Sequence, residues 1–246
     1  MSIYALWCHP RSMSTAVERI MRERGDLQVL HEPFMYAYYL GGDRPKFAGF
    51  EPEAGHPIHY GDIRDMIRAQ AEAGPVFFKD MGYYVTRTLT RDAAFARQMH
   101  HCFLIRDPAE SILSYVKRQR DFTSEEVGLE AQWQLYAALV GMGLSPRVLC
   151  ADDIRRDPAR AMAGYWGDAG LPHRADALSW DASVPEGWRS VETWHSEVLQ
   201  SQAIRPPDTD RDVRAELAAL GAPYVGFEAH HRPFYDRLRA VAMHQK

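Results

Sequence analysis

Four short segments of the chain carry side chains suited to handling an anion and a proton. The first is Cys8-His9-Pro10-Arg11-Ser12-Met13-Ser14-Thr15. A turn that enters a helix aims backbone N–H groups and the positive end of the helix dipole at one point. Ser12, Ser14 and Thr15 add hydroxyl donors, and Arg11 adds a permanent charge on a planar fork that matches oxyanions. Laid over the nucleotide pattern G-x-x-x-x-G-K-[ST], this turn places Ser14 where the phosphate-bridging lysine would stand and Met13 where the second glycine would. An anion cradle survives that comparison better than a magnesium–ATP site. Arg106 is the second signal, with Ser114 eight residues later across Asp107-Pro108. The third is Leu30-His31-Glu32-Pro33-Phe34, where Glu32 offers a general base and His31 a neighbour of near-neutral pKa. The fourth is Lys79, in Phe77-Phe78-Lys79-Asp80-Met81.

These residues need a scaffold that brings four distant positions to one crevice. Five short apolar runs predict buried strands: Ile3–Cys8, Leu27–Leu30, Val76–Lys79, Cys102–Ile105 and Val148–Cys150. Most are continuous rather than alternating, as in parallel strands covered on both faces. Helical spacing follows or precedes them at Ser14–Arg24, Ile63–Ala73, Ala109–Arg120, Glu125–Val140 and Asp157–Asp168, with a last helix over Pro233–Met243. The alternation predicts an α/β fold, a doubly wound parallel sheet flanked by helices on both faces. In such a sheet the carboxyl ends of the strands share one crevice, so Arg11, Glu32, Lys79 and Arg106 are expected to meet. Residues 34–57, dense in Tyr, Gly and Pro, and residues 180–207 read as irregular excursions, as acceptor-site or lid segments. Val191–Ser201 is the one stretch of the second with helical spacing. A single domain over 1–246 is expected, since no linker divides it.

The chain resembles the P-loop-type sulfotransferase superfamily, whose donor is 3′-phosphoadenosine 5′-phosphosulfate. Its phosphosulfate loop, Pro-(Lys/Arg)-Ser-Gly-(Ser/Thr)-(Ser/Thr), stands here as Pro10-Arg11-Ser12-Met13-Ser14-Thr15. Its 3′-phosphate segment, an Arg at a strand end with a Ser eight residues on, is similar to Arg106 and Ser114. A late strand running through Ala151-Asp152-Asp153-Ile154 to Asp157-Pro158 resembles a third feature. The resemblance covers about residues 3–170. It implies that Arg11, Ser12, Met13, Ser14 and Thr15 hold the 5′-phosphosulfate, with Arg11 neutralising charge there, and that Arg106 and Ser114 hold the 3′-phosphate. It also implies Glu32 as the base and Lys79 beside the transferring group, with no metal required. Met13 departs from the pattern. If its position demands φ > 0 the side chain is strained, and if it is helical the side chain is harmless.

The acceptor is expected to be a small molecule with a hydroxyl or amine. Phe34, Tyr36, Tyr38 and Tyr39 are candidates for its wall, and Trp188 and Trp194 for stacking on adenine. A net charge of −4 leaves no basic surface for nucleic acid, and no apolar run reaches the roughly 20 residues a membrane span needs. Three cysteines, Cys8, Cys102 and Cys150, each near an apolar run, predict reduced buried thiols and a cytoplasmic protein. His230-His231 lacks partners at metal-ligand spacing. Two rivals stand beside the sulfotransferase reading: a P-loop small-molecule kinase using ATP and magnesium, and a non-catalytic nucleotide-binding relative.

Overall fold

The computed structural model describes residues 2–41, 52–181, 183, 185, 188, 201–207 and 210–245. Five parallel strands form one sheet: β1 (Ile3–Cys8), β2 (Gln28–His31), β3 (Val76–Met81), β4 (Met99–Ile105) and β5 (Arg147–Cys150). Their order is β2-β3-β1-β4-β5, so the chain leaves β1 to one side for β2 and β3 and returns to the other for β4 and β5. The direction of travel therefore reverses between β1 and β4, the place where such sheets open a crevice at their carboxyl ends.

The continuous apolar runs are explained by burial on both faces. Along β1, Ile3, Ala5 and Trp7 enter one core while Tyr4, Leu6 and Cys8 enter the other. The same alternation divides Phe78 from Phe77 and Phe103 from Leu104. The second core is closed by α1 (Ser14–Glu23), through Val17, Ile20 and Met21, and by α9 (Pro158–Asp168), through Met162, Tyr165 and Trp166. Fully burying Val17, Ile20, Met21 or Met162 contributes roughly 1.5–3 kcal/mol each. The first core is closed by α3 (Tyr60–Ala73), α4 (Gly82–Leu89), α6 (Pro108–Val116), α7 (Leu129–Gly141) and the C-terminal α11 (Tyr224–His244). The sheet is thus helix-covered on both faces, as expected.

Several elements differ from the sequence expectations. Within 34–57, α2 (Met35–Tyr39) is helical and residues 42–51 lie outside the described residues. The helix expected over Glu125–Val140 is a 3-10 turn at Glu125–Val127, then α7, broken at Gly128, which sits at φ 80°. The turn after β5 is itself a helix, α8 (Ala151–Arg156), and α5 (Ala93–Ala96) and α10 (Val213–Leu220) complete the count of α-helices named here. The last helix begins nine residues before Pro233, and that proline sits inside it. Losing one backbone bond there is tolerated because Tyr224, Tyr235 and Leu238 anchor the helix in the core on both sides. Of the segment 180–207, the residues 191–200, including Trp194, lie outside the described residues. Cys8, Cys102 and Cys150 are buried free thiols, and no described helix is long and apolar enough to cross a membrane.

Candidate functional site

Beyond Cys8 the chain turns sharply, and Ser12 N–H donates to His9 O at 3.2 Å. Arg11 has φ 62° and Met13 has φ 73°, ψ 14°. The left-handed alternative for Met13 is therefore the one that holds. The first helical bonds run from Ala16 and Val17 to Met13 O, so the amides of Ser14 and Thr15 lie ahead of them, at the positive end of α1. Ser12 is fully buried, and its hydroxyl has no hydrogen-bond partner among the described residues. A buried hydroxyl without a partner costs free energy unless a ligand or water supplies one.

A left-handed L-residue is disfavoured by about 1–2 kcal/mol. Met13→Gly removes that strain and keeps a good helix N-cap. We expect it to stabilise the protein by about 1 kcal/mol, a rise in Tm of roughly 2–4 °C in a thermal melt. An unchanged or lower Tm would show that the partly buried packing of Met13 against the second core outweighs the strain.

β4 brings Arg106 to the same turn. Its backbone N–H donates to His9 Nε2 at 3.0 Å and its Nη1 to Arg11 O at 3.0 Å. Arg106 Nε and Nη2 contact Glu110 Oε2 at 2.8 and 2.7 Å. Asp107 pairs instead with Arg232 of α11, at 2.7 and 3.0 Å, and caps α6 by accepting from Ala109 N–H. Ser114 accepts from Arg11 Nε at 2.9 Å, so it is linked to the first turn through Arg11. His9, with no local signal to single it out, joins the two halves. Burial holds its pKa down to about 3, which keeps Nε2 available as an acceptor. Gly128 makes room for it, since a Cβ there would stand 2.9 Å from His9 Cβ. Gln132 of α7 pins the same region by donating to Trp7 O and Leu104 O.

On the other side of β1, Lys79 and Glu32 form a buried ion pair, with Nζ 2.5 Å from Oε1. The register explains the meeting: His31 is opposite Lys79 across β2 and β3, and Glu32 N–H continues the ladder to Lys79 O at 3.0 Å. Glu32 has φ 42°. Lys79 is almost fully buried, and although burial opposes its charge, Glu32 holds its pKa above the ordinary value. Asp80, fully buried, accepts from Phe34 N–H and Met81 N–H; burial, then the charge of Glu32, pushes its pKa well up. Asp80 thus fixes the chain after Glu32 and is not the partner of Lys79.

The proposed aromatic wall divides. Phe34 and Tyr36 are core residues, packed on Tyr60 and on His56 respectively. Tyr38 and Tyr39 face Tyr83 and Tyr84 of α4; burial first, then the charges of neighbouring groups, raises the pKa values of Tyr39 and Tyr84. Trp188 is fully buried and donates to Glu18 at 2.7 Å, which removes it as an adenine stacker. A cavity of about 220 Å³ lined by Met99, His100, Leu144, Arg147 and Tyr165 lies at the amino ends of β4 and β5, away from all these residues.

Comparison with known proteins bears on the fold and the family. The profile of the sulfotransferase domain family matches residues 1–219. The sulfotransferase domain of the olefin synthase from Synechococcus PCC 7002 superposes over 93% of this chain and 94% of its own, with a TM-score of 0.51 at 14% identity. A sulfotransferase from Alicyclobacillus acidocaldarius does so over 94% and 96%, with a TM-score of 0.54 at 15% identity. At those identities the likeness speaks for the fold. Branched-chain-amino-acid aminotransferase-like protein 2 of Arabidopsis thaliana is 27% identical over 214 residues, 84% of this chain. The chain spans only 37% of that relative's length, and the aminotransferase-like name is that of the whole relative. With a family profile over most of its length and the matching fold, the chain belongs to the sulfotransferase domain family.

Proposed function

We propose that the protein transfers a sulfuryl group from 3′-phosphoadenosine 5′-phosphosulfate to a hydroxyl or amine of a small-molecule acceptor. The observation that carries this reading is backbone strain. The described non-glycine residues at positive φ are Arg11, Met13 and Glu32; Arg11 and Glu32 are candidates for their chemistry, and Met13 stands where the phosphosulfate loop of the family has glycine. Strain of about 1–3 kcal/mol per residue persists where surrounding structure over-determines it, characteristically at functional sites. The residues present also fit the donor. The unpartnered hydroxyl of Ser12, the leading amides of α1 and the Arg11 side chain suit the phosphosulfate. Arg106 suits the 3′-phosphate. The donor supplies an activated sulfuryl group with a good leaving phosphate; the chain's own residues position it and stabilise charge.

In this reading Glu32 takes the acceptor's proton and Lys79, 2.5 Å from it, neutralises charge on the departing oxygen. Tyr38 and Tyr84, partly buried against the core, are the members of the tyrosine cluster that this reading assigns to the acceptor. The kinase alternative would need a lysine where Ser14 stands. Calorimetric titration with adenosine 3′,5′-bisphosphate, and in parallel with ATP and magnesium, tests the reading. Metal-independent preference for the bisphosphate is expected. Preference for ATP with magnesium would overturn it in favour of a kinase, and binding of neither would overturn it in favour of a fold without donor chemistry.

A further inference from the structure

Behind Glu32 runs a file of buried polar groups that the reaction as described does not use. Glu18 lies on α1, one turn beyond Ser14, and is fully buried. Its Oε1 accepts from Arg22 Nε and Nη2 at 2.9 and 2.8 Å and from Trp188 Nε1 at 2.7 Å. Its Oε2 faces His31 Nδ1 at 2.7 Å. The other ring nitrogen, Nε2, stands 3.7 Å from Glu32 Oε1, the oxygen that also receives Lys79. His31 is thus held between two carboxylates, with a side chain 5% exposed.

Glu18 stays ionised: its Oε1 accepts twice from the Arg22 guanidinium and once from Trp188 Nε1, and hydrogen bonds to the charged form favour the carboxylate. An ionised carboxylate can only accept, so Nδ1 must carry the proton. In the neutral ring this leaves the lone pair of Nε2 directed toward Glu32. A base oriented from behind by a buried carboxylate is the arrangement that enzymes use to keep an imidazole in one tautomer and to stabilise its cation.

We propose that His31 is the proton-relay partner of Glu32 and that Glu18 is the positioning residue that orients it; this rests on the reading of Glu32 as the base. As the acceptor oxygen bonds to sulfur, the bond from sulfur to the phosphate oxygen breaks and its electron pair leaves with the phosphate. The acceptor O–H proton passes to Glu32, then from Glu32 to Nε2, a shift that requires the two groups to close by less than 1 Å. The imidazolium is balanced by Glu18, and Glu32 returns to its ionised pair with Lys79. After product release the proton leaves by the reverse path to water. Because Glu18 and Ser14 share α1, the helix that would hold the donor also holds the relay.

The test uses the whole chain and an acceptor that is always present, water. Hydrolysis of the phosphosulfate donor is followed in wild type, Glu32→Gln, His31→Phe and Glu18→Gln, with bisphosphate affinity measured alongside. The histidine tautomers are read by ¹⁵N NMR, with His31→Phe assigning the signal. The expected result is Nδ1–H at His31 in wild type, moving toward Nε2–H in Glu18→Gln. Hydrolysis should fall about 10²-fold in His31→Phe, the low end of the range for a positioned acid–base group, at unchanged affinity. An Nε2–H tautomer in wild type, or full hydrolysis in His31→Phe while Glu32→Gln is inactive, would overturn the relay and leave Glu32 as the base. Full hydrolysis in Glu32→Gln with loss in His31→Phe would instead remove Glu32 as the base and the relay with it. A doubly protonated His31 in wild type would likewise overturn the relay, since such a ring has no lone pair to accept from Glu32, and this holds even if donor hydrolysis is too slow to follow.

Discussion

Glu32→Gln is expected to lower the rate of sulfuryl transfer by about 10²–10⁴-fold, the range for loss of a positioned general base, while adenosine 3′,5′-bisphosphate binds within about twofold of wild type. The substitution is nearly isosteric, and the amide oxygen can still accept from Lys79 Nζ. The backbone at φ 42° keeps a residue that tolerates it no worse than Glu. What disappears is the negative charge. Lys79 then sits almost fully buried without its counter-ion, and removing one partner of a buried pair typically costs about 3–5 kcal/mol. The direction of the Lys79 shift follows: burial acts to lower its pKa, Glu32 raises it, so the variant lysine should give up its proton more readily. Activity must therefore be normalised to folded protein by thermal melt. Retained turnover in a folded variant would move the base to His31 or elsewhere. Loss of bisphosphate binding equal to the loss of rate would show that Glu32 supports the donor turn rather than the chemistry.

The strands and the anion turn were legible because their signals are local. A strand buried on both faces reads as a continuous apolar run: β1 is one throughout, β3 is one up to Lys79-Asp80, and β4 is one from Cys102 onward. A turn with Arg11, three hydroxyl residues and a following helix declares its charge without reference to the rest of the chain. Short helices did not show. The five residues of α2 and six of α8 are too few for a 3.6-residue period to repeat. The start of α11 was hidden by Pro233, whose local message is to end a helix and whose penalty is offset by core anchors on both sides.

Partnerships across the chain were illegible for a related reason. Glu32 and Lys79 were each visible as chemistry-bearing residues, but their pairing depends on β2 and β3 being neighbours, 47 residues apart in sequence. His9 reads as an ordinary loop histidine until β4 arrives, 97 residues later, and its ring accepts the Arg106 amide. Gln132 has no local signal at all, yet it bridges the carbonyls of β1 and β4 at the crevice. Met13 posed a question that composition could not answer. Its φ is set by the turn's geometry between Ser12 and α1, and any residue placed there inherits it.

Arg106→Ala should weaken adenosine 3′,5′-bisphosphate by about 100-fold and adenosine 5′-phosphate by no more than about threefold. Hydrogen bonds to a charged group are worth about 1.5–3 kcal/mol each, and a guanidinium fork offers two to a phosphate; part of that gain is spent displacing Glu110. In the structure Arg106 already gives Nε and Nη2 to Glu110 and Nη1 to Arg11 O. A 3′-phosphate must therefore compete with one carboxylate, and Glu110→Gln, which weakens the competitor, should tighten the bisphosphate severalfold. The Arg11 contact makes the second nucleotide essential. Losing the Nη1 bond frees the Arg11 carbonyl and could loosen the phosphosulfate turn. Adenosine 5′-phosphate uses that turn but lacks the 3′ group, so its affinity measures the damage separately. Arg106→Lys keeps the charge and loses the fork, and should fall between wild type and alanine. Equal losses for the two nucleotides in Arg106→Ala would mean that Arg106 braces the first turn and does not read the 3′-phosphate. A tightened bisphosphate in Glu110→Gln, with adenosine 5′-phosphate unmoved, would locate the discrimination at the Arg106–Glu110 pair itself.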